Sequence, residues 1–389
     1  MKPIEPAALA RHYTAFLHPG RILLTGHSHQ AWPDVARPAM LRAYDDAADW
    51  VDDKWGRVMA RADRVRQAVA DRIGGRPEDV ALAASTHELV SRFLSALPLT
   101  RRRHLVTTDG EFNSMDRQLR RLGEEGVEIT RVSVEPLASL AGRLAAAIRP
   151  DTAALMVSTV LYRTSAVVPG LAEAVAAAHR NGAEVLLDAY HAFNVVPFQL
   201  ADYGPGPVFL VAGGYKYAQW GEGVCFMHVP PDCALRPVYT GWFADYAHLD
   251  AARDDGPVAY GAGGAARFAG STFEPASLYR AAAVADFFDQ QQLTVARLRV
   301  LSLHQTGRLL DRAAAATRRF EVLTPRENRG GFVALRVPGA AELVKALRTR
   351  GVFADSRGDI LRLGPAPYLP VEEVDAAFDQ VLALAPSVG

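Results

Sequence analysis

Apolar and polar positions along the chain form two alternating kinds of segment. Between short apolar runs, segments such as GLAEAVAAAHRNG (170–182) show helical spacing and end in glycine. Strands joined by crossover helices are typical of a mostly parallel sheet that is buried on both faces. The pattern therefore predicts an α/β fold. The apolar runs that predict its buried strands are 104–110, 153–159, 183–190, 207–214 and 223–230.

The pattern changes from about residue 276. Two long helical segments follow, SLYRAAAVADFFDQ (277–290) and VARLRVLSLHQTGRLLDRAAAATRR (295–319), and then three strand-like runs, GGFVALRVP, VFADSRG and DILRLGP. We therefore predict a large domain at 45–275, with a mostly parallel central sheet flanked by helices, and a smaller α+β C-terminal domain at 276–389. Residues 1–44 are expected to form an N-terminal arm that joins the small domain.

Composition and charge narrow the possible functions. Hydrophobic residues make up 49% of the 389 positions, which is enough for a sizeable core. Because 43 basic residues balance 43 acidic ones, no overall field favours nucleic acid or an anionic membrane, and we expect a small-molecule partner. The two cysteines, Cys225 and Cys233, lack the spacing of a zinc site and are typical of a reduced compartment. With no long apolar N-terminal segment, we expect a soluble, cytosolic protein.

Two polar motifs follow neighbouring apolar runs. LLDAYH carries Asp188 and His191, and GGYKY carries Tyr215 and Lys216, 28 residues after the aspartate. Ligands of open parallel sheets bind at the carboxyl ends of the strands, where such residues converge. A lysine can hold pyridoxal phosphate (PLP) as a Schiff base, while a carboxylate keeps the pyridine nitrogen protonated. Alone, either residue is more often a solvated lysine or a capping aspartate, but the two motifs in this order favour the cofactor site.

The order of motifs resembles the class V branch of the fold-type I PLP enzymes, and kynureninase in particular. The resemblance implies that Ser85 and Thr86 in AASTHELV bind the phosphate at a helix start, and that Phe112 in DGEFNSMD stacks on the pyridine ring. It also implies that Trp242 and Thr272 reach the phosphate across a homodimer interface. The full set of implied cofactor contacts is Ser85, Thr86, Phe112, Ser158, Asp188, His191, Tyr215, Lys216, Trp242 and Thr272.

The same resemblance points to a substrate arginine and to two departures. Arg362 in SRGDILRLGPAPY matches the arginine that binds the substrate α-carboxylate, for which a guanidinium fork is suited; Arg357 is a second candidate. Thr164-Ser165 stands where a Thr-Gly pair is usual. His27 and His29 in TGHSHQAWP replace a GNSLG-like stretch, and either reshape the substrate pocket or are hydrogen-bonded structural residues.

The reaction implied by the resemblance is hydrolytic cleavage of the Cβ–Cγ bond of an aryl-keto amino acid, which releases alanine and an aryl acid. Lys216 would move the Cα proton and Asp188 would keep the cofactor ring electron-poor. Tyr215 is expected to be a further acid/base or a phosphate-side donor, and His191 to orient Asp188 or the cofactor.

Three alternatives remain open at the level of sequence. A class V aminotransferase would use the same lysine and aspartate but pass the amine to a keto acid. A cysteine desulfurase or selenocysteine lyase needs a nucleophilic cysteine on a mobile loop, whereas Cys225 lies in a predicted buried strand and Cys233 just after it. A cofactor-binding protein without catalysis would not need Lys216, Asp188 and Arg362 together.

Overall fold

The computed structural model describes residues 3–248, 255–316 and 318–386. The described residues form eleven α-helices and thirteen β-strands. The helices are α1 (Pro6–Ala10), α2 (Ala36–Trp50), α3 (Trp55–Ile73), α4 (Thr86–Ala96), α5 (Asn113–Glu124), α6 (Leu140–Ala147), α7 (Leu171–Arg180), α8 (Ala276–Gln290), α9 (Val295–Ala315), α10 (Ala340–Thr349) and α11 (Val371–Leu384). The strands are β1 (Ile22–Leu23), β2 (Val80–Ala83), β3 (His104–Thr108), β4 (Glu128–Val132), β5 (Thr152–Ser158), β6 (Glu184–Asp188), β7 (Phe209–Gly213), β8 (Cys225–His228), β9 (Glu321–Val322), β10 (Val333–Arg336), β11 (Val352–Phe353), β12 (Asp355–Arg357) and β13 (Ile360–Leu363).

Seven strands form the central sheet, in the order β2-β8-β7-β6-β5-β3-β4. The pairs from β7 through β6, β5 and β3 to β4 are parallel, and β8 is antiparallel to both of its neighbours. The predicted mostly parallel α/β sheet is therefore confirmed. The five predicted runs correspond to β3, β5, β6, β7 and β8, whereas β2 and β4 were not predicted.

Burial of the sheet on both faces explains the continuous apolar runs. Every residue of β3, β5 and β7 is buried, as expected for strands covered by helices on both sides. The crossover helix α7 connects β5 to β6, in the position predicted from its spacing. Because β3, β5, β6 and β7 run in the same direction, their carboxyl ends lie at one edge of the sheet.

The C-terminal part contains a second, antiparallel sheet, in the order β12-β13-β10-β9. Helices α9, α10 and α11 pack against it around buried residues such as Leu309, Leu343 and Phe378. The N-terminal segment joins this part through β1, which pairs in parallel with β11. The domain limits at residues 44 and 275 stay a prediction.

Helix boundaries agree with the sequence pattern to within a few residues. The predicted helix at 295–319 corresponds to α9, which ends at Ala315, while residue 317 lies outside the described residues. In the described part of the chain, no helix is both long enough and apolar enough to cross a bilayer.

Candidate active site

The carboxyl edge of the central sheet collects the residues that the sequence singled out. Asp188 is the last residue of β6, and its neighbour across the strands is Ser158, the last residue of β5. Lys216 follows the end of β7 by three residues. The parallel strands therefore bring the aspartate and the lysine to the same edge, as their positions after apolar runs predicted.

Lys216 is buried, with 6% of its surface exposed, and it is surrounded by aromatic rings. Its Nζ lies 4.4 Å from the ring centroid of Tyr190 and 5.7 Å from those of Phe112 and Tyr215. Burial lowers the pKa of Lys216 to about 7, although Asp188 opposes the shift. Near neutral pH a large fraction of this amine is therefore unprotonated and can act as a nucleophile or a base.

His191 is the hydrogen-bond partner of that amine. Its Nε2 lies 2.8 Å from Lys216 Nζ, so the structure pairs it with the lysine rather than with Asp188. Burial, together with the charge of Lys216, lowers the pKa of His191 well below its ordinary value. A neutral His191 that accepts from Lys216 through Nε2 carries its hydrogen on Nδ1, and this buried Nδ1 has no partner among the described residues.

Asp188 keeps one carboxylate oxygen available. Its Oδ1 accepts a hydrogen bond from the backbone N–H of Tyr190, at 2.8 Å, and no residue of the described ranges donates to Oδ2. Burial raises the pKa of Asp188, against the opposing effects of the Tyr190 N–H and Lys216. A cation placed beside this carboxylate would restore its charged form.

Glu111 is a buried acid behind this edge that sequence reasoning missed. Its carboxylate accepts hydrogen bonds from Ser158 Oγ at 2.5 Å, from the Ser158 backbone N–H at 3.1 Å and from Thr108 Oγ1 at 2.6 Å. Burial nevertheless raises the pKa of Glu111 to about 7. The hydroxyl of the predicted cofactor serine, Ser158, is thus already hydrogen-bonded to Glu111.

The predicted phosphate-binding turn lies at the start of α4. Ser85 is the exposed N-cap residue, and its Oγ accepts from the backbone N–H of Glu88 at 3.2 Å. Because β2 and β7 are both antiparallel to β8, β2 ends at the same edge as Asp188 and Lys216. Ser85 and Thr86 therefore follow a strand end on the correct side of the sheet, and their contact with phosphate stays a prediction.

Trp242 and Thr272 are brought together, but away from the lysine. The indole Nε1 of Trp242 donates to Thr272 Oγ1 at 3.2 Å, and both side chains are exposed. Neither has a hydrogen bond or ring contact with Lys216, Asp188 or His191 within the described chain. Their position leaves them free to reach a site on another subunit, which stays a prediction.

Tyr215 connects the lysine to solvent. Its ring packs against Tyr190 on one side, with centroids 5.1 Å apart, and stacks on His29 at 5.0 Å. His29 is exposed and lies 3.5 Å from Glu222. Burial raises the pKa of Tyr215, so its hydroxyl is protonated at neutral pH and is available as a donor.

Arg362 lies on β13, an interior strand of the small sheet, and only 2% of its surface is exposed. Its Nε and Nη2 bind the two oxygens of Asp355, the residue directly across on β12, and its Nη1 donates to the carbonyl of Tyr162 at 2.8 Å. His27 Nε2 lies 2.9 Å from Asp355 Oδ1. Arg357 is more exposed, with a guanidinium nitrogen 3.7 Å from the same carboxylate.

Phe332 contacts both the arginine group, which is Arg362, Asp355 and His27, and the lysine group, which is Lys216, His191 and Asp188. Its buried ring stacks on His27 at 4.6 Å, lies 5.6 Å from the His191 ring and faces the Arg362 guanidinium at 5.6 Å. The positive charge of Arg362 also contributes to the lowered pKa values of Lys216 and His191. The two polar groups are therefore neighbours that contact the same phenylalanine.

The Thr164-Ser165 departure keeps the backbone that glycine would favour. Ser165 adopts a left-handed conformation, with φ of 64°, a region that glycine enters at lower cost. Its hydroxyl lies 3.4 Å from the backbone N–H of Phe332, and its carbonyl accepts from Gly330 at 2.6 Å. The serine therefore compensates for its strain by holding the segment that carries Phe332.

Comparison with known proteins finds kynureninases among the relatives of this chain. Residues 298–381 match the family model of the kynureninase C-terminal domain. A kynureninase of Deinococcus radiodurans is 27% identical over 350 residues, with 88% of this chain and 81% of that protein covered. A kynureninase of Pseudomonas fluorescens is 28% identical, with 91% and 87% covered. An uncharacterized aminotransferase of Bacillus subtilis, YcbU, is 25% identical, with 88% and 89% covered.

Solved structures share the whole architecture. The cystine C–S lyase C-DES superposes with a TM-score of 0.80 at 18% identity, covering 96% of this chain and 100% of that one. The Escherichia coli cysteine desulfurase CsdA has a TM-score of 0.80 at 16% identity, with 99% and 100% covered. These likenesses confirm the fold-type I architecture, and the sequence matches show that the chain is similar to kynureninases.

Proposed function

We propose that this chain is a PLP-dependent enzyme that hydrolyses the Cβ–Cγ bond of kynurenine or of a related aryl-keto amino acid. The observation that carries the proposal is the buried Lys216 amine, hydrogen-bonded to His191 and set beside Asp188 at the carboxyl edge of the sheet. The sequence likeness to kynureninases supports the choice of reaction.

The residues present fit the cofactor. The amine of Lys216 has the reactivity that bonding to an aldehyde requires, and Asp188 has an unused oxygen for a protonated ring nitrogen. The unpartnered Nδ1 of His191 is a buried donor that lacks an acceptor. An acceptor-rich ligand at this edge would satisfy it, because buried polar groups are normally hydrogen-bonded. Phe112, which is partly exposed beside Lys216, offers a face for a flat ring.

The chain's own groups then have distinct tasks. When bound, the cofactor supplies the electron sink that makes loss of a proton from the substrate Cα possible. Lys216, unprotonated near pH 7, accepts that proton and returns it, and His191 holds the amine in position. Asp188 provides the negative charge that keeps a ring nitrogen protonated. The Tyr215 hydroxyl, protonated at neutral pH, is a donor at the solvent side of the lysine.

Arg362 orients the substrate by its α-carboxylate. Its guanidinium lies 5.6 Å from the centroid of the Phe332 ring, which also contacts His191 of the lysine group. In the overall reaction one water is consumed, the Cβ–Cγ bond breaks, and alanine and an aryl carboxylic acid are released.

Amino-group transfer is the second candidate, because YcbU bears the name of an aminotransferase. A cysteine desulfurase is less consistent with the structure. Burial raises the pKa values of both Cys225 and Cys233 to about 11, whereas a nucleophilic cysteine needs a lowered pKa and access to solvent.

Product analysis distinguishes these reactions. The purified protein, loaded with PLP, is incubated with kynurenine, hydroxykynurenine and a panel of amino acids, with and without a keto acid, and the products are identified by mass spectrometry. Hydrolysis predicts alanine and anthranilate from kynurenine without a keto acid. Products that appear only when a keto acid is present, with its amino counterpart, would refute hydrolysis in favour of transamination.

We also propose a two-fold homodimer in the cytosol. Large apolar side chains are exposed on α2, among them Leu41, Tyr44 and Trp50, and Trp242 and Tyr246 are exposed near Thr272. Such residues are typical of covered interfaces. The enzyme should therefore sediment as a dimer, and Thr272→Ala should weaken cofactor retention in dialysis. An active monomer would contradict the shared site.

A further inference from the structure

The guanidinium of Arg362 is only partly used. An arginine has five N–H groups. Within the described residues three of them have partners: the Nε hydrogen and one on Nη2 bind Asp355, and one on Nη1 binds the Tyr162 carbonyl. One N–H on Nη1 and one on Nη2 remain. Each terminal nitrogen of the guanidinium therefore keeps one N–H group with which it can donate to a second carboxylate.

Asp355 is held from two directions. It lies opposite Arg362 in the β12–β13 register, and His27 binds its Oδ1 from the N-terminal segment. The Arg362 and His27 contacts keep Asp355 ionised and lower its pKa despite burial. His27 is fully buried and its pKa falls to about 4. The neutral imidazole must therefore carry its hydrogen on Nε2 in order to donate to the carboxylate.

The surroundings of His27 leave it little freedom. Its ring stacks on Phe332, and its Nδ1 edge faces Gly364, where a Cβ atom would come within 2.3 Å. Thr25 also forms a parallel bridge to Gly364, directly after β13. The N-terminal segment is thus packed against the strand that carries Arg362, with the imidazole between them.

Two roles for Asp355 are physically possible, and they have opposite effects on the affinity for substrate. Asp355 either occupies the place of the substrate carboxylate and must leave, or it orients the guanidinium and remains. The cross-strand register, the His27 hydrogen bond and the unused N–H groups of Nη1 and Nη2 all favour an aspartate that remains. Arg357, 3.7 Å from Asp355, gives the group of two arginines and one aspartate a net positive charge, which an incoming carboxylate would balance.

We propose that His27 and Asp355 are positioning residues that aim the remaining N–H groups of Arg362 Nη1 and Nη2 at the α-carboxylate of the substrate. The inference rests on the proposed role of Arg362 in substrate binding. It assigns a function to the histidine that stands where the family has a GNSLG-like stretch.

The test compares two ligands that differ only in the carboxylate. Isothermal titration calorimetry and cofactor absorbance measure the binding of L-alanine and of ethylamine to the PLP-loaded enzyme. The variants are Asp355→Asn, His27→Gln and His27→Asn. Asp359→Asn is the matched control, because Asp359 also pairs with an arginine of the small sheet, Arg336 at 3.2 Å, but is exposed.

We expect Asp355→Asn to weaken L-alanine binding roughly tenfold or more, the range for a hydrogen bond to a charged group, and to leave ethylamine binding unchanged. His27→Gln should retain most of the L-alanine affinity, because the glutamine amide reaches the place of Nε2. His27→Asn, whose amide matches Nδ1 instead, should not. Asp359→Asn should bind both ligands normally.

Tighter L-alanine binding by Asp355→Asn would show that the aspartate competes with the substrate, and unchanged binding would show that it does not position Arg362; either result would overturn the proposal. So would an equal loss of affinity for both ligands, or better binding by His27→Asn than by His27→Gln. If Asp355→Asn does not fold, the two His27 variants decide. This binding test does not depend on kynurenine hydrolysis. A protein that does not hydrolyse kynurenine but binds L-alanine more tightly than ethylamine would therefore refute the proposed reaction and not this inference.

Discussion

The lysine group and the arginine group both contact Phe332, but their surroundings favour opposite charge states. Around Lys216, burial outweighs the attraction between Lys216 and Asp188. It lowers the pKa of Lys216 and raises that of Asp188, so both residues are shifted toward their neutral forms. Around Arg362, Asp355 accepts two hydrogen bonds from the guanidinium and one from His27, and its pKa is lowered instead. Both groups are largely buried, so burial alone does not decide the charge state.

The difference lies in how well each charge is matched. A bidentate ion pair with a further donor compensates the cost of desolvation, whereas a lysine whose direct partner is a neutral histidine does not. The arginine group is thereby suited to permanent recognition of an anion. The lysine group is suited to chemistry, because its amine changes protonation near neutral pH.

Removal of the Lys216 amine should have the largest effect, because it eliminates the proposed chemistry of the lysine group. Lys216→Ala should lower the exchange of the L-alanine Cα proton in D₂O by at least about 10³-fold, because the proposed base is then absent and the lowered pKa of the neighbouring His191 makes that imidazole a weak base. Proton NMR measures the exchange. Lys345→Ala, an exposed lysine on α10, is the control and should exchange normally. Exchange by Lys216→Ala at a near-normal rate would assign the base to another residue.

Neutralising Asp188 should have the next largest effect. Asp188→Asn should still bind PLP, since Lys216 is intact, but exchange and turnover should fall roughly 10²-fold to 10³-fold, as when one preorganised electrostatic group is lost. The cofactor content is checked by absorbance and the rate by NMR. Asp232→Asn, exposed after β8, is the control. Normal turnover with asparagine at position 188 would rule out its proposed role.

Glu111 tests whether burial without a charged partner also shifts a pKa behind the edge of the sheet. Its pKa is raised to about 7, so between its unfolded value and pH 7 the folded state holds a proton that the unfolded state has released. The group's contribution to stability therefore falls as pH rises through that window, by up to roughly 3 kcal/mol.

In Glu111→Gln that titration is absent. The variant's free energy of unfolding, measured by urea denaturation of the cofactor-free protein, should rise relative to wild type from pH 4.5 to 7. Glu124→Gln, on the exposed surface of α5, should follow wild type throughout. Parallel curves for Glu111→Gln and wild type would mean that Glu111 is ionised across the whole window.

The smallest effect is expected for Arg362, whose charge is paired with Asp355. Arg362→Lys keeps the positive charge but loses the planar fork, so we expect a loss of roughly 1.5–3 kcal/mol in kcat/KM for L-alanine exchange, with cofactor absorbance unchanged. Arg336→Lys, exposed on β10, is the control. Loss of the cofactor with normal substrate affinity would mean that Arg362 binds the cofactor and not the substrate.

The lysine group could be predicted from sequence because its residues stand at the ends of recognisable strands. Asp188 and Lys216 follow apolar runs directly, and parallel strands bring such ends together. Glu111 gave no such signal, because its burial depends on a loop that folds back onto Ser158. Strand β2 was missed because VALA is short and alanine-rich, and β4 because this edge strand has no fully buried position.

The pairing of Asp355 with Arg362 was missed although a signal existed. Gly358 and Asp359 form a two-residue turn signal between strand-like runs, and such a hairpin places Asp355 opposite Arg362. The contact of His27 with Asp355 had no comparable signal, because the two residues are 328 positions apart. Local register could therefore be predicted from the chain, whereas the meeting of its N-terminal segment with the small sheet depended on tertiary packing.

Covalent capture of the cofactor tests the lysine group most directly. The purified enzyme, loaded with PLP, is reduced with borohydride and digested, and the peptides are mapped by mass spectrometry. The chain has four lysines, Lys2, Lys54, Lys216 and Lys345, so the assignment is unambiguous. We predict a single adduct, on Lys216. An adduct on one of the other three, or none at all, would contradict the proposal that this buried amine is the reactive group.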